Sequence, residues 1–462
     1  MGLQNLSRGM PIGFGASEDA VLKHAYRSYS ESSGTVSSLL PEKTDLLRRY
    51  DAPGMDRAAA ICYWARSGTI LLGSFLDSHP DIVMLPVLTS APLYRFFDEY
   101  GNLSLWEKLV AFPEYSGFMR TNEGEFAVSA PIVAAADYFA AVEALFALYG
   151  DAPATWLNTS RRFFQFVHVA YVVGIGRQCD NPRPLMIYAQ HYVNQEHAER
   201  FIRDFPSGQF IHTIRDPISG VDTWFDRQTY LEMNDRGRLD EMWTRYLDPA
   251  VATMSTLLTW DCPHPGMEAR SRAIRFEDMH LAPKATMRGL ANWLGVSYHP
   301  CLIESTWNGA PWVVDVHGVI CCGANPANAK RRSKNLRILD RLLIFALFHE
   351  NFIAWNYPSP GAMRRRWIRI CTVVLFWVIP MGIELSTARL ILKRQALPGL
   401  RKGRVRFAFV APFFLLKRRL RMIYLLTVQS HARTRGHKRL LQPLGMNGVA
   451  EAVESVGSSS SG

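Results

Sequence analysis

The sequence lacks the features that would place it in several common classes of protein. Its seven cysteines, among 462 residues, include no C-x-x-C pair and no Cys/His spacing typical of zinc sites. An odd number of cysteines cannot all pair within the chain, which indicates a reducing compartment, the cytoplasm, and no structural metal. The first 20 residues contain no apolar run of signal-peptide or anchor length, so neither secretion nor an N-terminal anchor is predicted.

Acidic residues are nearly absent from the C-terminal part of the chain. Residues 361–445 contain 19 Lys and Arg and one acid, Glu384, whereas the whole chain carries a net charge of +11. Composition therefore divides the chain. We predict a polar, loosely attached leader with two short helices over 1–57, a core domain over 58–358, a basic, hydrophobic and mainly helical region over 359–445, and a disordered tail over 446–462.

Short apolar runs alternate with helical patterns through the predicted core domain. Units of strand, turn, helix and strand of this kind build parallel sheets covered by helices. A helix with Pro283 near its start and Gly295 just after its end has the expected punctuation. The predicted strands cover residues 58–64, 81–85, 185–189, 209–214 and 273–276. The sequence therefore predicts an α/β fold with a central parallel sheet.

The first candidate site is the turn Arg66-Ser67-Gly68-Thr69, between the first predicted strand and its helix. Unpaired backbone N–H groups and the helix dipole attract an anion at such a helix N-terminus. The glycine permits close backbone approach, the hydroxyls add donors, and the arginine fork suits phosphate or sulfate oxygens. Taken alone, the same Ser and Thr are equally well explained as helix caps. A triphosphatase loop, G-x-x-x-x-G-K-S/T, is excluded because no lysine follows the glycine.

A second candidate site, Arg215-Asp216-Pro217, follows the strand predicted over residues 209–214. Ligands of α/β sheets collect at this carboxyl edge of the strands. Thr223 lies about two helical turns after Arg215, so its hydroxyl can point from the helix surface. An isolated R-D-P more often forms a structural ion pair. Two such turns together predict a ligand with two separated phosphates.

These motifs resemble those of sulfotransferases that use 3′-phosphoadenosine 5′-phosphosulfate (PAPS). The family's 5′-phosphosulfate loop, K/R-S-G-T-T/S, is similar to residues 66–70. Its 3′-phosphate motif, R-D/N-P-x5-S, is similar to residues 215–223, with Thr223 in the serine position. Further similarities lie at 205–206, 275–278 and 294–295, and the resemblance covers about residues 58–357. It implies a P-loop-like three-layer sandwich and an enzyme that binds PAPS as co-substrate without a metal.

The sequence also differs from the family pattern. Ile70 stands where the family has a hydroxyl residue, so one contact to the phosphosulfate is lost. A third nucleotide contact, Gly-rich and basic in the family, is loosely similar to residues 323–334. The implied donor site therefore comprises Arg66, Ser67, Gly68, Thr69, Ile70, Arg215, Thr223, Arg331 and Arg332.

The resemblance assigns catalytic roles as well. In-line sulfuryl transfer needs a cation on the leaving phosphate and a base for the acceptor's proton. Arg66 is assigned to the phosphate, and His191 resembles the base at the family's K-T-H strand end. A neutral histidine titrates near neutral pH, which suits a general base. A structural role is the alternative for His191, while His197, on the following helix, and His212, inside a strand, are less favoured.

The basic region contains two apolar stretches, of which the first spans residues 370–383. That stretch is 14 residues long and includes Pro380, whereas a bilayer span needs about 20 apolar residues. Extending it would admit Glu384 and Arg389, which are costly at the membrane centre. We predict that residues 364–424 contact the inner face of a membrane through apolar faces and anionic lipid. Docking on the core or homodimerisation is the alternative, and nucleic-acid binding is the least favoured.

The acceptor side is assigned to the aromatic, largely helical segment 95–180, with loops near Trp307 and Trp312. The group modified is a hydroxyl or an amine. A membrane location favours a lipid or glycan-lipid acceptor over a small molecule. Two other functions stay open: a P-loop-like phosphotransferase, and a membrane-associated nucleotide-binding protein without catalysis.

Overall fold

A computed structural model describes residues 18–63, 67–85, 93–116, 133–191, 195–224, 265–312, 314–316, 319–329 and 336–382, and several residues between 384 and 424. The chain forms two compact units. The larger unit comprises residues 13–214, 263–329 and 443–462, and the smaller unit comprises residues 1–12, 215–262 and 330–442. The predicted disordered tail, 446–462, lies outside the described residues.

The strands are short and, in the main sheet, apolar. They are β1 (Ala58–Tyr63), β2 (Ile82–Met84), β3 (Leu185–His191), β4 (Gln209–Ile214), β5 (Ser271–Arg275), β6 (Thr306–Trp307), β7 (Ala310–Pro311), β8 (Val314–Val316) and β9 (Val319–Cys321).

The helices occur in both units. They are α1 (Glu18–Leu47), α2 (Thr69–Leu76), α3 (Leu93–Glu99), α4 (Leu105–Ser116), α5 (Ala135–Tyr149), α6 (Ala154–Leu157), α7 (Ser160–Gly174), α8 (Gln195–Asp204), α9 (Pro217–Trp224), α10 (Pro265–Glu268), α11 (Phe276–Leu281), α12 (Pro283–Leu294), α13 (Pro326–Ala329), α14 (Ile338–Leu347), α15 (His349–Ala354) and α16 (Arg366–Val378).

Strands β1 to β5 form one sheet in the order β2-β3-β1-β4-β5, and every pair within it is parallel. Ile61 of the central strand β1 pairs with Ala189 of β3 on one side and Ile211 of β4 on the other. The predicted parallel sheet is confirmed. Because its strands run the same way, the carboxyl ends of β1, β3 and β4 lie at one edge.

Apolar layers cover both faces of this sheet. On one face, Ile61 and Ile187 pack into a fully buried cluster with Phe75 of α2 and Leu290 of α12. On the other face, the ring of Tyr188 lies 5.0 Å from that of Phe164 in α7 and 5.7 Å from that of Phe201 in α8. Helices therefore flank the sheet on both sides, as the three-layer prediction requires.

Helix boundaries follow local chemistry. Pro283 begins α12, and Gly295 ends it with φ +70, a left-handed conformation that glycine adopts without steric cost. The end of β5 differs from prediction, because β5 ends at Arg275 and Phe276 begins α11. Glu277 and Asp278 then fall in the first turn of α11, where carboxylates complement the helix dipole.

Residues 18–47 form a single helix, α1, so the prediction of a loosely attached segment with two short helices is wrong there. Ala25, Val36 and Leu47 are buried, and they stand eleven residues apart, about three helical turns, on one side of α1. The helix packs along α5. The Tyr29 hydroxyl donates to Glu143 Oε1 at 2.6 Å, which adds a polar contact to that packing.

In the smaller unit, α16 packs against α14. Asp340 of α14 is buried, and its carboxylate accepts hydrogen bonds from Arg337 N at 3.0 Å and Gly382 N at 2.8 Å. Among the helices described in either unit, none combines the length and apolar composition needed to cross a membrane.

Candidate functional site

The turn between β1 and α2 depends on Gly68. This residue adopts φ +91 and ψ 15 directly before α2 begins. A Cβ atom there would lie 2.5 Å from Cδ2 of Phe276 and 3.1 Å from Cε of Met279. Only glycine combines this backbone conformation with such close approach. The turn is therefore clamped between the end of β1 and the first residues of α11.

Backbone N–H groups collect at the start of α2. The first bond within the helix runs from Leu72 N to the Gly68 carbonyl at 3.0 Å. The N–H groups of residues 69–71 thus have no acceptor inside the helix, and no side-chain hydrogen bond from Gly68 caps this end. The Ile70 side chain packs against the buried core cluster, so this residue offers only its backbone. This helix end suits an anion.

Three hydroxyls meet beside this helix end. Thr213 Oγ1, in β4, lies 2.6 Å from Ser67 Oγ and 2.8 Å from Thr69 Oγ1. Ser67 and Thr69 are each 4% exposed and Thr213 is fully buried, so the contacts satisfy polar groups away from water. The adjacency of β1 and β4 brings the three together.

Counting hydrogens shows what this cluster can still donate. Each hydroxyl has one hydrogen, and the two short contacts use two of the three. When Ser67 donates to Thr213 and Thr213 donates to Thr69, the Thr69 hydroxyl keeps its hydrogen. That hydrogen can serve a ligand oxygen or the longer 3.4 Å contact to Ser67.

Thr213 was not found from the sequence. The sequence did contain a signal for it. Side chains alternate along a strand, so Thr213 lies on the same face of β4 as the buried Ile211, and it stands two residues before Arg215, at the carboxyl end of the strand. A lone threonine in a strand is nevertheless common. Only the pairing of β4 with β1 makes it a neighbour of Ser67.

The backbone of His191 lies at the same sheet edge. It is the last residue of β3, and it pairs in register with Tyr63, the last residue of β1. The residue before it, Gln190, is buried, and its amide accepts from the Tyr188 hydroxyl at 2.6 Å and contacts His197 Nδ1 at 3.1 Å. Gln190 stands at the threonine position of the K-T-H pattern, and its side chain holds a structural hydrogen-bond network.

The less favoured histidines have structural surroundings. His197 lies on α8, as predicted, and burial lowers the pKa of its imidazole. His212 lies inside β4, and burial lowers its pKa to about 3. Both imidazoles are therefore neutral at neutral pH.

Asp216 and Pro217 start α9 in the smaller unit. Asp216 Oδ1 accepts from Ser219 N at 2.7 Å, and the Asp216 carbonyl accepts from Gly220 N at 2.8 Å. Burial raises the pKa of the Asp216 carboxyl, partly offset by the hydrogen bonds from Ser219 and by Arg215. The Asp-Pro pair thus works as a helix cap, and it leaves Arg215 directly before the helix.

Thr223 uses its hydroxyl within α9, because Oγ1 donates to the Ser219 carbonyl at 2.7 Å. A phosphate has only acceptor oxygens, so binding one would redirect this hydrogen. Three other residues of the predicted donor site, Arg66, Arg331 and Arg332, lie outside the described residues.

The start of α11 contributes charged groups in the larger unit. Arg275 Nε lies 3.5 Å from Asp278 Oδ2, and Glu277 is buried. Burial raises the pKa of the Asp278 carboxyl, and Arg275 lowers it in part. Arg275 ends β5, and Glu277 and Asp278 follow it, at the edge where β1 and β4 also end.

A profile of the sulfotransferase family matches residues 61–300, just over half of the chain. The match includes both candidate turns, the end of β1, and all of β3, β4 and β5. The chain therefore belongs to the sulfotransferase family.

Solved structures that resemble the chain include three sulfotransferases. The sulfotransferase domain of the Synechococcus PCC 7002 olefin synthase is 15% identical, with a TM-score of 0.35, over 67% of this chain and 99% of its own. The sulfotransferase domain from the curacin biosynthetic pathway is 14% identical, with a TM-score of 0.29, over 68% and 97%. Sulfotransferase STF9 from Mycobacterium avium is 12% identical, with a TM-score of 0.27, over 60% and 74%. No curated protein matches the chain.

Proposed function

We propose that this sulfotransferase moves a sulfuryl group from PAPS to a hydroxyl or amine of an acceptor. The observation that carries the proposal is the start of α2, where N–H groups without helical acceptors adjoin the hydroxyls of Ser67, Thr69 and Thr213. Such a site suits the phosphosulfate end of the donor. PAPS supplies the sulfuryl group and a phosphate leaving group.

The reaction breaks one S–O bond and forms another bond to sulfur. The acceptor oxygen or nitrogen attacks sulfur in line, and 3′-phosphoadenosine 5′-phosphate leaves with the bonding electrons. In this proposal His191 takes the acceptor's proton, and Arg66 neutralises the charge that develops on the leaving phosphate. The position of His191, at the end of β3 and in register with Tyr63, supports the assignment.

The 3′-phosphate is the proposed ligand of Arg215, Thr223, Arg331 and Arg332. Support comes from the position of Arg215, two residues before α9 and next to Asp216, which caps the start of that helix. Arginine forms bidentate contacts with phosphate that an ordinary helix start lacks.

The acceptor side is proposed within residues 95–180. The described aromatic rings there mainly fill the interior: Phe96 lies 5.2 Å from Phe112 and 5.6 Å from Phe163, centroid to centroid. Core packing thus explains the aromatic content that drew attention to this segment. The proposed location of the acceptor side rests on the place of this segment between β2 and β3 in the chain. The proposed lipid or glycan-lipid acceptor rests on the basic C-terminal region.

Nucleotide binding tests the donor. A ligand that binds only the folded protein raises its thermal midpoint, so we expect 3′-phosphoadenosine 5′-phosphate to stabilise the full chain and ATP to have little effect. Arg66→Ala and Arg215→Ala should each remove most of that shift, whereas Arg48→Ala, an exposed change just after α1, should leave it intact. Stabilisation by ATP instead would indicate a phosphotransferase, and no shift with either nucleotide would contradict the donor proposal.

Transfer of labelled sulfate from PAPS tests the base. His191→Ala should bind the nucleotide normally but transfer slowly, and it should lack the fall in rate on acidification that we expect of the wild type if a histidine is the base. A wild-type rate and pH profile in His191→Ala would remove the base assignment and leave the donor site standing.

A further inference from the structure

Helix α16 turns an apolar face to solvent. The exposed apolar side chains of α16, together with Cys371, span about 160° of the circumference of a helix with 3.6 residues per turn. The opposite side is anchored, because Phe376 is 4% exposed and α16 packs against α14. The exposed apolar side chains are Trp367 (60% exposed), Ile370, Val374, Leu375, Trp377 (54%) and Val378 (77%). A contiguous apolar face of this kind marks an interaction surface rather than scattered surface residues.

A second set of exposed residues follows the same pattern. Phe413, Leu416, Leu420 and Tyr424 are exposed and stand three, four and four residues apart, on one side of a helical segment. Between them, Lys417 and Arg421 are also exposed.

Arg419 ties this second set to α16. Its guanidinium lies 2.5 Å from Glu384 Oε2 and also donates to the carbonyl of Phe376, in the last turn of α16. We call the two sets together the tail surface.

Charge on the tail surface has one sign. Glu384 is the only acid between residues 361 and 445, and it is 5% exposed and paired with Arg419. Arg364, Arg365 and Arg366, at the start of α16, are all exposed and positively charged. Apolar side chains thus lie beside cations that no carboxylate of this segment neutralises in solvent.

We propose that the tail surface binds an anionic phospholipid bilayer, with α16 lying in the headgroup region. The 13 residues of α16 span about 20 Å, less than the roughly 30 Å hydrocarbon core. The helix ends at Val378, and the extended backbone of Ile379 then leads to Pro380. Tryptophans at both ends of the face suit the membrane interface, and the arginines meet anionic headgroups. The proposal is independent of the donor and acceptor assigned above.

Other occupants fit this chemistry less well. A symmetric contact between two copies would bury the apolar face but leave Arg364–Arg366 of each copy without an acidic partner on the same surface, because Glu384, the only acid between residues 361 and 445, is already paired with Arg419. Nucleic acid would satisfy the arginines but leave Ile370, Val374 and Val378 without apolar partners. A lipid interface satisfies both sets of groups.

Vesicle flotation with the full chain tests the proposal. We expect the protein to float with phosphatidylcholine vesicles that contain phosphatidylglycerol, and to bind pure phosphatidylcholine at least about tenfold more weakly, since each basic residue near an anionic surface contributes. Trp367→Ser/Trp377→Ser should also weaken binding about tenfold or more through lost burial. The matched control Leu148→Ser changes an exposed leucine of α5 and should have no effect.

A second pair of variants tests the contribution of charge. The test variant is Arg364→Gln/Arg365→Gln/Arg366→Gln. Its control, Arg27→Gln/Arg48→Gln/Arg49→Gln, removes the same number of charges on and just after α1. The first should lose binding and the second should keep it. Unchanged thermal midpoints and unchanged stabilisation by 3′-phosphoadenosine 5′-phosphate show that every variant folds.

Three results would overturn the proposal. One is a wild type that does not float with anionic vesicles. The second is binding that the arginine variant abolishes but the tryptophan variant keeps, which indicates charge attraction without insertion. The third is a wild-type dimer in sedimentation that the tryptophan variant turns into a monomer, without vesicle binding, because α16 would then join two copies of the chain.

Discussion

Ser67 Oγ lies 2.6 Å from Thr213 Oγ1, although 146 positions separate the two residues in the chain. The pairing of β1 with β4 creates this contact, and the second contact of Thr213, to Thr69, extends it to the first residue of α2. Thr213 is therefore a positioning residue for the two hydroxyls that adjoin the proposed phosphosulfate site.

Thr213→Val keeps the shape of this side chain and removes its hydroxyl. Because a neutral hydrogen bond contributes about 0.5–1.5 kcal/mol, we expect the KM for PAPS to rise about three- to tenfold, with a smaller change in kcat. Thr213→Ser keeps the hydroxyl and should restore the wild-type KM. Equal KM values for the valine and serine variants would show that the cluster only fills the interior.

Gly68→Ala should be costly. The new Cβ would press on Phe276, and φ +91 is strained for alanine, so we expect a loss of roughly 1–3 kcal/mol in the free energy of unfolding and loss of the thermal shift by 3′-phosphoadenosine 5′-phosphate. Gly34→Ala is the control: it lies within α1 with open space around it, and it should stabilise the protein by about 0.5–1 kcal/mol. Urea titration measures both. A Gly68→Ala protein as stable as wild type would contradict the clamped turn.

Helix α1 should be an integral part of the larger unit. Val36 is 4% exposed, so Val36→Asp would bury a carboxylate at a site shaped for an apolar side chain and should lower the free energy of unfolding by roughly 3 kcal/mol. Its neighbour Thr35 is exposed, and Thr35→Asp should change stability little. If both substitutions had the same small effect in thermal melts, α1 would be only loosely attached.

Acidification should destabilise the larger unit through its buried imidazoles. Burial lowers the pKa of His168 to about 4 and that of His212 to about 3, from 6.5. Below pH 6.5 the unfolded chain binds protons that the folded chain does not, so the stability that is fully present above 6.5 falls as the pH drops.

His168→Gln isolates this contribution. The variant should lose less stability than wild type between pH 6.5 and about 4, as measured by urea midpoints at both ends of that window. A wild-type slope in His168→Gln would show that His168 does not titrate in this way.

The tertiary structure corrected the sequence-based predictions where only one side of a helix, or a single residue, is buried. The polar sequence of α1 suggested a loose leader, because only one residue in several is apolar. The burial of those apolar residues depends on α5, which begins about 100 residues after Val36. Thr213 was likewise invisible, since a single threonine in a strand has no periodicity that marks it.

Alone, the sequence determined the strands and helices around Gly68 and Asp216, because Gly, Pro and helix-capping residues act locally on the backbone. It also determined the sulfotransferase resemblance, since the motifs occur in order along the chain. Only the tertiary structure decided that Thr213 joins Ser67 and Thr69, that Gln190 holds His197, and that the apolar face of α16 points to solvent. Each of these depends on contacts between segments far apart in the chain, which local sequence patterns do not encode.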